Sequence, residues 1–401
     1  MILSKIKNYL LLILLLVLPW QTRLIYKSTY IQNKFWEYGS LSLYSSQILL
    51  AVIIIFWIVE RLKDDKFRAR LQGFNLKRAG IILGVYLLLA FYFFISANRD
   101  LAWQYLDWMV YAACFFIVIL ESEFNFYKIS LFVWLGSLLP ALLGIYQFFS
   151  QSVFGNKWLG LSVQNPTTIG VSVIEYLDER WLRAYGSFGS PNALGIYLGV
   201  IFLLGIILVL NSDNHRTRLW LLLGQVVILS ALFLSFSRGA WLGVAVGLLI
   251  LAFQNRKSVL FFQQAAIYGL IAVILSFAFS HLLFARADLD SHLEAKSISE
   301  RLTQWQDFKL VFSQHWLFGV GPGNYVVALK DLHHSASANY FSPVHNIYLL
   351  FVGQLGFFGL GSVIFVGYWL YKKRRKEIKI FAPLSCLLIA GLFDHWTLSM
   401  F

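Results

Sequence analysis

Eleven apolar runs, at 8–20, 41–60, 79–97, 101–120, 129–150, 192–210, 219–237, 240–253, 259–280, 346–371 and 380–400, recur along the chain. Most approach the roughly 20 residues that an α-helix needs to cross a bilayer. Lipid offers backbone groups no hydrogen-bond partner, so such runs can cross it only as helices. The expected fold class is therefore all-α, a polytopic membrane helix bundle of about 11 transmembrane helices (10–12, because the first and eighth runs are short), with residues 1–401 forming one integral membrane domain.

Composition agrees. The chain is 59% hydrophobic and 13% charged, against about 25% charged for a soluble domain. The start, MILSKIKNYLLLILLLVLPWQTR, has the basic residues and apolar core of a signal peptide, but no small-x-small cleavage site follows, so it reads as the first span. Cys114 and Cys386 both fall inside apolar runs and give no disulfide framework.

Topology comes from charge. Of the 33 Lys and Arg, 20 lie at the N-terminus and in the connections 61–78, 121–128, 211–218, 254–258 and 371–379. That asymmetry puts the N-terminus in the cytoplasm. It also accounts for the net charge of +13, with KKRRKEIK (372–379) lying near anionic lipid rather than forming a nucleic-acid patch.

Two long connections, 151–191 and 281–344, fall on the outer side, and loops of such length are usually functional or disordered. Their Trp, Phe and Tyr content points to order. In the longer loop, Ser297 and Glu300 match a capping box, and Leu302, Trp305, Phe308 and Phe312 recur at helical spacing. This predicts a periplasmic loop helix that ends near GVGPGNY (319–325), where glycines and a proline force a turn. No strand precedes that turn, so it does not read as a nucleotide loop.

Arg238, in LSFSRGAWLG, interrupts two apolar runs. A charge within a span costs about 2.5–3.5 kcal/mol on insertion scales, which makes an intramembrane arginine a functional candidate. Arg183, Arg301 and His345 reach the same side by this topology. Singly, each has a plainer reading: Arg183 or Arg238 as a headgroup anchor, Arg301 paired with Glu300 or stacked on Trp305, His345 as a helix cap. Together, guanidiniums and an imidazole suit an anionic substrate with a transferable group, such as a lipid-linked diphosphate. His333 and His334 with His345 lack the carboxylate or cysteine spacing of a metal site, so neither metal nor cofactor is expected. Asp394 and His395, in GLFDHWTLSM of the last run, read as a proton relay or an orienting hydrogen-bond network.

LSFSRGAWLG, RLTQWQDFKLVFSQHWLFGVGPGNY and HNIYLLFVGQLGFFGL together resemble the bacterial O-antigen ligase and O-antigen polymerase superfamily. The similarity is concentrated in residues 180–370, with GIYQFF (144–149) and FDHW (393–396) outside it. The resemblance implies an inner-membrane glycosyltransferase that takes a glycan from an undecaprenyl-diphosphate carrier on the periplasmic side, without a metal. It implies that Arg238 and Arg301 hold the diphosphate and that His345 activates the acceptor hydroxyl; inversion at the anomeric carbon would follow if that oxygen attacks opposite the diphosphate. Arg183 joins them from topology as a substrate-binding candidate, as do Asn192, Asn346 and Tyr325 from the same stretches; Asp394 and His395 would support the site. The acceptor, whether glycan, lipid or protein, does not carry over. A polymerase is the alternative within the class, and an anion or small-solute transporter the alternative outside it. Transporters often show internal repeats and broken helices at mid-membrane, whereas here the polar residues gather at one surface and no repeat is visible.

Overall fold

The protein is described from a computed structural model over residues 2–65, 76–177, 179–288, 292–334, 336–338, 340–374 and 381–396. Each apolar run has a helix: α1 Ile2–Val17, α2 Ser45–Lys63, α3 Leu76–Ile95, α4 Arg99–Leu120, α5 Phe126–Ser150, α6 Pro191–Leu210, α7 His215–Leu234, α8 Arg238–Gln254, α9 Val259–Ala278, α13 Ile347–Arg374 and α14 Phe381–Ala390. Three further helices, α10 Ser280–Ala287, α11 His292–His315 and α12 Tyr325–Leu332, lie between α9 and α13. Among the described residues, seven helices (α2, α4, α5, α6, α7, α9 and the Ile347–Phe365 part of α13) are long and apolar enough to cross a membrane. The stretches Leu83–Ile95, Arg238–Gln254 and Phe381–Ala390 are apolar but shorter, so the count by that measure is below the eleven expected.

The connections alternate between two ends of the bundle. At one end the indole N–H of Trp36 donates to the Phe341 carbonyl (2.9 Å), the Ser187 hydroxyl to that of Pro19 (2.6 Å), and the Asn98 amide to Asn324 Oδ1 (2.7 Å). At the other, Lys7 pairs with Glu60, and Arg61 with Glu121 at 2.7 Å. The basic stretch at 372–379 falls mostly outside the described residues.

At the centre stands α6, apolar around its whole circumference and buried for most of its length. A helix hydrophobic all round belongs inside a bundle. It packs against α7 and α8, and α8 packs in turn against α14.

Several elements differ from expectation. Short antiparallel pairs accompany the helices: β1 Arg23–Lys27 with β4 Leu41–Tyr44, β2 Tyr30–Ile31 with β3 Lys34–Phe35, and β5 Val173–Tyr176 with β6 Glu179–Leu182. The run at 41–60 therefore opens as a strand and turns helical only at Ser45. The loop helix α11 starts at His292, so Ser297 lies inside it rather than capping it. Phe308 and Val311 form its buried face, while Leu302 and Trp305 remain exposed. In the last run the helix stops at Ala390, which leaves Asp394 and His395 beyond it.

GVGPGNY is a turn, as predicted, and it splices into a break in α13. Gly356, at φ 63° and ψ −160°, interrupts that helix. The Val320 and Gly321 amides donate to the carbonyls of Gly353 (3.1 Å) and Gln354 (2.9 Å), while the Phe357 amide donates to the Trp316 carbonyl (2.9 Å). The turn thus satisfies backbone groups that the break would orphan, a necessity where no water reaches.

Gly319 has φ 70°, and a Cβ there would sit 2.3 Å from the Gln354 carbonyl oxygen. Gly319→Ala is expected to cost at least about 2 kcal/mol from the left-handed backbone and the clash together, seen as a lower midpoint in thermal unfolding of the detergent-purified protein. An unchanged midpoint would remove the turn's structural role.

Candidate active site

The turn between α7 and α8 sets Arg238 in place. Phe236 is fully buried with φ 47°, rare for a bulky residue, and is held there by Phe148 and Trp241. The chain then enters α8 with Arg238 as its first residue. A helix N-terminus disfavours a cation, so the position has another reason.

Arg238 lines a cavity of about 330 Å³ together with Asn192, Ser237, Arg286, Arg301 and Asp394. Its guanidinium donates to Glu294 Oε2 at 2.7 Å and to the Arg286 carbonyl at 3.2 Å. Glu294 is buried and also pairs with Arg286. One carboxylate therefore bridges two guanidiniums. Arg183 is buried beside them, donating to the Ser235 carbonyl (2.7 Å) and to Asn192 Oδ1 (2.7 Å).

Burial, followed by the guanidiniums of Arg183, Arg238 and Arg301, pushes Arg286 down from its ordinary value. Burial likewise lowers Arg183 and Arg301. The Glu294 carboxylate opposes this and keeps Arg286 charged, as arginine is at any physiological pH. Three guanidiniums at the cavity, with Arg183 buried behind them, thus meet two carboxylates, Glu294 and Asp394, and the unbalanced positive charge suits a diphosphate.

α11 supplies one stripe of this site. Glu294, Ile298 and Arg301 follow one another at i, i+4 and i+7, the spacing that places side chains on one helix face. Gln304 continues it and reaches His345: its Oε1 accepts from the His345 amide at 3.0 Å and lies 2.9 Å from Nδ1. A carboxamide oxygen only accepts, so Nδ1 carries the hydrogen and Nε2 keeps its lone pair. Burial and then Arg301 lower His345 to about 4, which keeps the ring neutral.

The His345 ring stands 5.0 Å from that of His395, which in turn meets Tyr38 at 5.8 Å. Asp394 Oδ1 accepts from the amides of His395 (2.7 Å) and Trp396 (3.2 Å), so it orders the turn that carries the histidine. The start of α13 is tied to that turn by the Ile347 amide on the Gly391 carbonyl (2.8 Å).

Of the residues read from sequence, Asn192, Arg238, Arg301 and Asp394 line the cavity, Arg183 stands behind it on Asn192, and His345 and His395 adjoin through Arg301 and each other. Two stand elsewhere. Asn346 caps α13, accepting from Tyr348 and Leu349 at 3.0 Å. Tyr325 is buried in a hydrophobic cluster with Phe308, Val311 and Leu350, outside the cavity lining. His333 is engaged by Asp307 at 2.9 Å, whose other oxygen accepts from the Tyr340 hydroxyl at 2.7 Å. Among the described residues no group of three His, Cys, Asp or Glu is arranged to hold a metal.

Glu294 and Arg286 were not singled out in the sequence. Glu294 lies seven residues before Arg301, a signal hidden by starting the helix at Ser297. Glu294→Ala is expected to cost about 3 kcal/mol in unfolding, since it leaves two clustered guanidiniums without their counter-charge. Glu294→Gln should retain part of that stability. Equal melting of the wild type and Glu294→Ala would show that the bridge is not structural.

No curated protein matches the chain. Residues 223–364 match the O-antigen ligase family model. That stretch contains Arg238, Arg286, Glu294, Arg301, Gln304 and His345, and the match supports a membrane enzyme of the ligase or polymerase kind while lending nothing to a transporter. Over these residues, about a third of the chain, the match to the O-antigen ligase family agrees with the resemblance seen in the motifs.

Proposed function

We propose that this protein is a metal-independent membrane glycosyltransferase. It moves an oligo- or polysaccharide from undecaprenyl diphosphate to a hydroxyl acceptor on the periplasmic face of the inner membrane. The observation that carries this reading is the cluster of guanidiniums around one cavity, with a neutral histidine held beside Arg301. The acceptor oxygen attacks the anomeric carbon as its proton passes to His345 Nε2. The bond from that carbon to the diphosphate breaks with inversion, and the electron pair leaves on the phosphate oxygen. Arg238, Arg286 and Arg301 stabilise the departing charge, the task a metal ion performs in many phosphate-handling enzymes.

His345→Ala is expected to retain donor binding and to lower transfer by about 10²–10⁴-fold, the usual contribution of a general base. Arg238→Lys keeps the charge but loses the planar fork, so the donor KM should rise about tenfold. Both are read by product formation from an undecaprenyl-diphosphate glycan in excess EDTA. Normal transfer by a well-folded His345→Ala protein, or activity abolished by EDTA and restored by Mg²⁺, would overturn the mechanism.

The pH dependence has a defined sign. A base lowered to about 4 is present in its active form above that pH and lost as pH falls through it. The acid limb of kcat/KM should therefore lie far below the ordinary histidine value of about 6.5. Bound diphosphate favours the imidazolium, so the limb of kcat should move upward. Limbs at the ordinary value in both parameters would contradict a desolvated His345.

Orientation is tested separately. With the native cysteines replaced, Ser299→Cys should react with a membrane-impermeant maleimide from outside intact cells, and Lys257→Cys should not. The opposite pattern would place the site in the cytoplasm.

A further inference from the structure

Two side chains of α11 hold the connection that runs from α12 to α13 and ends at His345. Asp307, which is buried, accepts from the Tyr340 hydroxyl at 2.7 Å and stands 2.9 Å from His333 Nε2. Gln304, one helical turn earlier, spans Ser342 and His345. Its Nε2 donates to Ser342 Oγ at 3.3 Å, while its Oε1 meets both the main-chain amide of His345 at 3.0 Å and Nδ1 at 2.9 Å. The Phe341 carbonyl, accepting from Trp36, ties the same connection to the segment after β3. The helix that carries Arg301 therefore also fixes the residue beside it.

A carboxamide can turn over. Exchanging its oxygen and nitrogen changes the shape little, yet it would offer His345 donors in place of an acceptor. Nδ1 would then have to accept and Nε2 would carry the hydrogen, so the ring could take no proton there. Ser342 does not forbid the exchange, since a hydroxyl serves either end of an amide. The main-chain amide of His345 does, because it only donates and would meet another N–H. The histidine's own backbone thus selects the orientation of Gln304, and Gln304 selects the ring nitrogen that stays free. The partner is also uncharged. A carboxylate in its place would hold Nδ1–H equally well but would favour the imidazolium. Around the ring stand Arg301 on α11, His395 and Asp394 after α14, and Tyr38 beyond His395. A neutral Gln304 orients the ring without adding to these charges.

We propose that Gln304 is a positioning residue of the transfer reaction: it fixes His345 with its hydrogen on Nδ1, leaving Nε2 as the base, and by being uncharged it makes the strength of that base depend on the bound donor. This rests on the transfer reading above. As the acceptor oxygen bonds to the anomeric carbon, its proton passes to Nε2 while Nδ1–H stays on Gln304. The bond from that carbon to the diphosphate breaks, and its electron pair leaves on the phosphate oxygen. The imidazolium so formed is held by the carboxamide oxygen on one nitrogen and faces the negative diphosphate, which supplies the charge that Gln304 lacks.

The test uses the full chain in lipid bilayers with isotopically labelled histidine, read by its ring nitrogen resonances at neutral pH. The difference between wild type and His345→Ala isolates the His345 ring, and the expected pattern is a protonated Nδ1 with an unprotonated Nε2. Gln304→Glu should keep that pattern and still transfer glycan, with the acid limb of kcat/KM raised by about one to three pH units, the usual effect of an opposite charge beside a titrating group. Gln304→Leu should give a mixture of tautomers and lower kcat at least about a hundredfold while donor binding is retained. Hydrogen on Nε2 in the wild type, an unmoved acid limb in Gln304→Glu, or wild-type tautomer and kcat in Gln304→Leu would each overturn the proposal. A merely structural Gln304 would change the melting midpoint and move neither the tautomer nor the acid limb. The spectra need no substrate, so the expected tautomer in a wild type that transfers no glycan would sink the transfer reading and leave the tautomer assignment standing.

Discussion

Like charges brought together at the edge of a membrane must be answered by a counter-charge, and Glu294 answers them here. Arg238 and Arg286 reach the same carboxylate from different segments of the chain. Without it, desolvation and mutual repulsion would drive the guanidiniums apart or out to the headgroups. With it, the start of α8, the end of α10 and the start of α11 are fixed relative to one another. Arg301 and Gln304, further along the same face of α11, then bring the anion site and His345 together.

The scaffold serves that geometry through its breaks rather than its regular helices. Phe236 turns α7 into α8 in a left-handed conformation and leaves Arg238 at the helix start. The glycine-rich turn at 319–325 fills the break in α13 and pins the C-terminal end of α11 to the bundle. The turn after α14 carries Asp394 and His395 back over the site, tied to the beginning of α13. Strained and irregular backbone of this kind persists only where the surroundings over-determine it, and it clusters at functional sites.

Much of this was legible in the sequence. Apolar runs marked the helices because lipid leaves a backbone no other choice, and the basic bias gave the alternation that gathers Arg183, Arg238, Arg301 and His345 at one end. What stayed hidden depended on long-range pairing. Glu294 carries no local signal, since its partners are a helix-start arginine and Arg286, and no local pattern links the three. The placement of Asn346 and Tyr325 is hidden for a related reason. Proximity to a motif does not say which way a side chain points, and in these cases it points into a helix cap and a hydrophobic cluster. The hairpins of the site end are short, and strands of two to five residues leave little periodicity to read.

The account turns on where the diphosphate sits. An experimental structure of the protein in a nanodisc with an undecaprenyl-diphosphate glycan decides it most directly. The expected result is phosphate density within hydrogen-bond distance of Arg238, Arg286 and Arg301, with the first sugar toward His345. Diphosphate density elsewhere on the protein, with Glu294 still bridging Arg238 and Arg286 over a cavity empty of phosphate, would contradict it.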